Sequence, residues 1–248
     1  PRPRKTKPPR CHLGGFVCYI LSLSNMARIK FEVDEWYHCY SRGVDKRVTF
    51  EDEADHVRFI ELLYLANDTS PLHRKDIGTH SAEEIFSRKR VKPLVAVGAY
   101  ALMPNHYHLL LKEVEEGGLS EFMRKLGIAY TTYFNHKYER VGNLFVKPFR
   151  ARHVAEDTYF QHIVSYIHLN PAELFESGWK KGRVKNPGVL IKKLESYPYS
   201  SFPDHQNIPR FMNAVINPEI FEMVDKLTTA AVVREAASYY ESSAELEG

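Results

Sequence analysis

The stretch "LVAVGAYALMPNHYHLLLKEV", residues 94–114, constrains the fold more than any other part of the chain. Two apolar runs, 94–103 and 106–114, are separated only by Pro104-Asn105, a turn signal, so the segment predicts a β-hairpin whose second strand is central. On a strand, side chains alternate between faces, which places His106 and His108 on one side and Tyr107 and Leu109 on the other. A lone histidine is most often a polar group satisfied by ordinary hydrogen bonds. Two on one strand face, embedded in Leu-Leu-Leu, both need partners. A divalent metal ion is an economical one, because neutral imidazole nitrogens bind it well.

The flanking segments supply the rest of a small α+β domain. "EWYHCYSRG" (35–43) alternates large and polar residues and stops at Gly43, as a first strand does. "EDEADHVRFIELLYLAND" (51–68) has helical apolar spacing after an acidic first turn. Residues 69–92 are polar and basic and read as an inserted loop with a short helical piece at most. "LSEFMRKLGIAYTTYFNHKYERVG" (119–142) opens after Gly117-Gly118 as a long amphipathic helix. "LFVKPFRARHV" (144–154) is a further strand, and "EDTYFQHIVSYIHLN" (156–170) a helix stopped by Pro171. This order predicts an α+β sandwich, an antiparallel sheet with helices packed mainly on one face.

Two ligands are too few to hold a metal ion, and the helix over 156–170 offers more. His162, Tyr166 and Asn170 lie along one stripe at i, i+4 and i+8. A carboxamide oxygen or a third imidazole from this stripe completes a three-ligand site with open positions. By itself Tyr166 reads as a packed aromatic, because the chain has 15 tyrosines.

Composition narrows the setting. The 248 residues are 44% hydrophobic, enough for one large domain or one domain with appendages. The formal charge of +3 is uneven, with a basic head, a weakly basic middle and an acidic tail, which fits a nucleic-acid partner. Cys11, Cys18 and Cys39 form neither a disulfide framework nor a zinc spacing, so a reducing cytoplasm is expected. Residues 1–25 have the basic-then-apolar order of a signal peptide but no matching cleavage site. Met26 opens an ordinary protein start, so 1–25 are expected to be an extension outside the fold. No apolar run is long enough to span a bilayer. The expected division is thus 1–25, a domain over 26–203 and an acidic helical tail over 204–248.

"MPNHYHLLL" followed by "FRARHV" and then "YIHLNP" resembles the HUH single-tyrosine transposases, most closely the REP-associated tyrosine transposases. The resemblance runs from "WYHCYSRGVDKRVTF" to "SYPYSSF", about two thirds of the chain. It implies a ferredoxin-like domain in which His106, His108 and Asn170 hold a divalent metal, Mg or Mn, and Tyr166 is the nucleophile. The activity it implies is transposition by cleavage and rejoining of hairpin-flanked single-stranded DNA through a 5′-phosphotyrosine, with no small-molecule cofactor and no membrane partner. It also allows a homodimer that exchanges tyrosine helices. DNA contacts are expected from bases, since phosphates set affinity. The candidates are Arg42 and Lys46 in the "YSRGVDKR" turn, Arg150 and Arg152 on one strand face, and Arg124 and Lys125. The sequence departs from the family after "NP", where Ala172-Glu173 stand in place of a basic residue. A binder of hairpin nucleic acid without cleavage and a metal hydrolase using water are the competing readings.

Overall fold

The computed structural model describes residues 30–73, 80–155, 157–181, 183–228 and 230. The extension 1–25 and the end of the expected tail, residues 231–248, lie outside these residues. The described residues from Phe31 on belong to one compact unit.

Four strands, β1 (Trp36–Arg42), β2 (Val95–Met103), β3 (His106–Glu113) and β4 (Arg150–Val154), build one sheet in the order β2-β3-β1-β4. Every pairing is antiparallel. β2 and β3 form the expected hairpin, and β3 is interior to the sheet. Leu109, Leu110 and Leu111 are each 0% exposed, so consecutive residues facing opposite ways are all covered. A strand apolar on both faces needs a layer on each side.

Those layers are unequal. Tyr107 meets Phe59 of α1 (Glu53–Leu65), with ring centroids 5.0 Å apart, and Phe59 meets Tyr130 of α3 (Gly118–Lys137), also at 5.0 Å. The short α2 (Ala82–Phe86) buries Ile85 and Phe86 in the same core. On the other face α4 (Asp157–Leu169) lies against the sheet, Phe160 meeting Trp36 at 5.3 Å. The α+β class and the antiparallel sheet are as expected. Helices cover both faces, with the helix carrying Tyr166 apart from α1 and α3.

Helix starts follow their local chemistry. Asp52 and Asp55 form a capping box at α1, and Ser81 and Glu84 one at α2. Gly117 takes φ of 75° before α3, and its N–H donates to Oε1 of Glu113 at 2.5 Å. Two expected spans are shorter in the structure. α3 stops at Lys137, because Asn135 turns the chain: its carbonyl accepts from Arg140 N–H and its Nδ2 donates to Gly142 O at 2.8 Å. β4 begins at Arg150 rather than 144, where Pro148 has no N–H to offer a ladder.

The described residues after 203 pack against the sheet, Arg210 donating to the Tyr100 hydroxyl at 3.1 Å. Arg210 pairs with the buried carboxylate of Asp204, Asn217 N–H donates to Val97 O at 2.8 Å, and Ile220 is 0% exposed. The packed chain therefore continues at least to Ile220. Among the described residues no helix is long and apolar enough to cross a membrane.

Candidate active site

The hairpin turn is clasped by the loop after β1. Thr49 N–H donates to Pro104 O and Gly43 N–H to Asn105 O, both at 2.8 Å, and Asn105 Nδ2 donates to Lys46 O at 3.2 Å. Thus held, Asn105 turns Oδ1 onto the next side chain, where it accepts from Nδ1 of His106 at 2.7 Å. The bond fixes the ring and puts its proton on Nδ1, so coordination of a cation by His106 is open only through Nε2.

Register places five more polar or aromatic side chains on the same face. Tyr40 pairs with His108, Arg42 with His106 and His38 with Leu110 across β1 and β3. On the other edge of β1, Arg150 pairs with Tyr40 and Arg152 with His38. Paired residues share a face of an antiparallel sheet. Nε2 of His38 and Nδ1 of His108 lie 2.9 Å apart in a shared hydrogen bond, and the two rings stack with Tyr40. Burial first, and then the charge of Arg152, pushes the His38 imidazole down to about 3, so this ring is neutral at physiological pH.

α4 completes the site from the opposite side. Tyr166 is 3% exposed, and its ring sits edge-on to His108 at 5.5 Å and to His38 at 5.8 Å. Together with Tyr40, Ser41, Arg42, His106, His108, Val146, Pro148 and Arg150, Tyr166 lines a cavity of about 190 Å³. The helix that delivers it is anchored two residues on, at His168. Nε2 of His168 meets Ser201 Oγ at 2.8 Å, and the same oxygen accepts from Tyr100 N–H of β2. The motif "YIHLNP" thus divides its labour, Tyr166 facing the cavity and His168 tying the helix to β2.

That anchor has a pH signature. Burial, and next the neighbouring His205 and Arg210, holds the His168 imidazole well below its ordinary range, and burial lowers His205 likewise. The unfolded chain takes up protons as pH falls through about 6.5, whereas the folded chain resists. Stability is therefore fullest above that pH and declines below it, by up to about 1.4 kcal/mol per pH unit for each such histidine. Urea midpoints of the metal-free protein should fall between pH 7.5 and pH 5; an unchanged midpoint contradicts this account of His168 and His205.

The remaining expected residues separate. Asn170 is buried, but its Nδ2 donates to Tyr166 O at 2.8 Å and it does not line the cavity; neither does His162. Arg42 and Arg150 line the cavity, Arg152 stands on the same face, and Lys46 is in the clasping loop. Arg124 and Lys125 sit on α3, behind the sheet. Arg124 bonds both oxygens of Glu121, and Lys125 donates to Asp68 O and Ser70 O. They line a separate cavity of about 990 Å³ and are not brought to the histidines. Sequence reasoning missed His38, Tyr40 and Asn105. The i, i+2 spacing of "HCYSR" carried the same signal as "HYH", while Asn105 read only as a turn residue.

Two imidazoles on one strand, one with Nδ1 committed to Asn105 and the other with Nδ1 in the His38 bond, fit a cation approached through Nε2 of each. Among the described residues no group of three His, Cys, Asp or Glu stands ready to hold a metal ion. Among the described residues a carboxamide, with water or a substrate oxygen, would complete such a site.

Residues 67–170 match the family model described as "Transposase IS200 like". The matched span contains β2, β3, α3, β4 and α4, and with them His106, His108, Tyr166 and Asn170. β1, with His38, Tyr40 and Arg42, lies before it. A solved structure described as "Structure of the REP associates tyrosine transposase bound to a REP hairpin" is similar at 16% sequence identity and a TM-score of 0.44. The likeness covers 75% of this chain and 89% of that one. Comparison with curated proteins finds no match. The chain is IS200-transposase-like over residues 67–170.

Proposed function

We propose, for a chain that is IS200-transposase-like over residues 67–170, that it cleaves and rejoins single-stranded DNA beside a hairpin, with Tyr166 as nucleophile. One observation carries the reading: α4 brings the Tyr166 ring edge-on to His108 in a cavity that also holds His106, Arg42 and Arg150. Tyr166 attacks phosphorus, the 3′-oxygen leaves, and the resulting 5′-phosphotyrosine keeps the ester ready for attack by another 3′-OH. Arg42 and Arg150 bring positive charge to the phosphate and hold the strand.

His106 and His108 would hold a divalent cation, Mg or Mn, and Asn170 is the proposed third ligand if its Oδ1 turns toward them. Bound there, such an ion supplies charge neutralisation for the phosphate oxygens as the bond breaks. The chain's own residues orient those imidazoles through Asn105 and His38 and shut out water by burying Tyr166. Work on DNA in a reducing compartment agrees with a cytoplasmic location.

The test is a denaturant-resistant adduct between the protein and hairpin-flanked single-stranded DNA in Mg²⁺ or Mn²⁺. Tyr166→Phe should reduce it roughly a thousandfold or more. An adduct that survives the substitution overturns the assignment of Tyr166. A second reading, hairpin binding without cleavage, draws on the carboxamide of Asn170 being tied to Tyr166 O, away from the cavity lining. It predicts hairpin affinity with no adduct under any cation.

A further inference from the structure

The run "WKKGRVKNPGVLIKK", residues 179–193, has six bases and no acid, and none of its described residues lines the cavity. Its second half folds as α6 (Pro187–Glu195), capped by Asn186, whose side-chain oxygen accepts from Val189 N–H at 3.1 Å. Leu190 and Leu194 are fully buried, so one side of the helix is fixed to the core and the other faces water. Arg183, Lys185, Lys192 and Lys193 are exposed, and none of them has an ion pair among the described residues. Cations elsewhere on the surface are already answered by carboxylates: Lys92 by Glu115, Lys112 by Glu219, Arg124 by Glu121 and Lys137 by Asp52. Uncompensated positive charge is what a polyanion meets first.

Contacts locate α6 relative to the histidines. Lys193 Nζ lies 5.7 Å from the ring centroid of Phe175, at the end of α5 (Ala172–Phe175), the short helix directly after α4. Phe175 meets Tyr197 at 5.9 Å, and the Tyr197 hydroxyl donates to Leu102 O at 2.7 Å. The next residue, Met103, pairs with His106 across the hairpin. The unpaired cations therefore stand toward the end of the sheet that carries His106. The cavity, at about 190 Å³, has room for an extended strand and not for a duplex, so a paired stem has to rest on the surface outside it.

We propose that α6 and the turn before it, through Arg183, Lys185, Lys192 and Lys193, form a docking surface for the phosphate backbone of a DNA duplex, the stem whose flanking strand enters the cavity. This rests on the reading of the chain as one that acts on hairpin DNA. Lys185 precedes the N-cap and Lys192 and Lys193 occupy the last turn, which puts cations at both ends of a helix about 14 Å long. Phosphates of one strand follow each other every 3.4 Å or so of duplex axis, so that length meets several of them. Such contacts set where the stem lies and do not read its sequence.

The test is a salt series of binding titrations with the full chain. Lys185→Ala combined with Lys192→Ala should weaken hairpin binding about tenfold and lower the slope of log affinity against log salt by about 2. Affinity for the same flanking strand without a stem should stay within about twofold of the parent. Both side chains are exposed, and an unchanged urea midpoint verifies that the variant is folded. Lys92→Ala combined with Arg124→Ala removes the same formal charge from cations that already face carboxylates, and should leave the slope unchanged. Hairpin affinity and slope unaltered in the α6 variant, or lowered as much in the Lys92 and Arg124 variant, would overturn the docking surface; a Tyr166 adduct in the parent would still leave the proposed function standing. Equal loss on stemmed and stemless DNA would overturn the assignment to the duplex. A parent protein with no affinity for any DNA hairpin would overturn both readings.

Discussion

His108→Ala should lower DNA cleavage by about a hundredfold to a thousandfold while leaving hairpin affinity within about threefold of the parent. The asymmetry follows from where the side chain stands. His108 is buried at 5% exposure between His38, Tyr40 and Tyr166, so it contributes little of the surface a DNA strand touches. What it offers is an imidazole lining the cavity that Tyr166 also lines. Affinity belongs to phosphate contacts, for which Arg42 and Arg150 line the cavity. Arg150→Ala should show the converse, weaker binding and a smaller salt dependence, with cleavage at saturating DNA less affected. Gel-shift titration and single-turnover cleavage with one hairpin substrate measure both. Equal loss of binding and cleavage in His108→Ala would mean that the imidazole is structural.

Arg210→Ala should cost about 3–5 kcal/mol of stability, the largest effect expected from a single side chain remote from the cavity. Asp204 is wholly buried, and Arg210 gives it two hydrogen bonds while also donating to Pro198 O at 2.8 Å and to Ser200 O. A third contact, NH2 to the hydroxyl of Tyr100 at 3.1 Å, ties this knot to β2. Removing the guanidinium leaves the buried Asp204 carboxylate unpaired and takes a donor from Ser200 O and the Tyr100 hydroxyl. Arg124→Ala provides the contrast, since Arg124 pairs with Glu121 on an exposed helix surface and should cost under about 1 kcal/mol. Urea denaturation of both variants decides it: if Arg210→Ala is no more destabilised than Arg124→Ala, the Asp204 knot is not a structural anchor. Because Ser201 of the same segment holds His168, the loss should also loosen α4 and reduce Tyr166 adduct formation.

The elements were legible where local chemistry dominates. An apolar run split by Pro104-Asn105 has few alternatives to a hairpin, and an acidic first turn with periodic apolar residues marks α1. Two boundaries failed for reasons outside periodicity. Asn135 diverts the end of α3 through its side chain, and Pro148 withholds the donor that a longer β4 would need. The residues after 203 looked like an acidic tail because their composition changes. Composition does not reveal that Arg210 reaches back to Ser200 and Tyr100 and that Ile220 is fully buried in the core.

The amino-acid order by itself determined which side chains can act together along one element. His106 with His108, Arg150 with Arg152, and Tyr166 with Asn170 all follow from periods of two and 3.6 residues, which are properties of the backbone. Only the tertiary structure decided which of these local sets meet. It placed α4 on the face of the histidines and α3 on the other, bringing Tyr166 to His108 and leaving Arg124 and Lys125 behind the sheet. It also set His38 against His108 by register between strands 70 positions apart and turned the amide of Asn170 toward its own helix. Periodicity is fixed over a few bonds, whereas the choice of face depends on which long-range packing buries the most apolar surface, and that is a property of the whole chain.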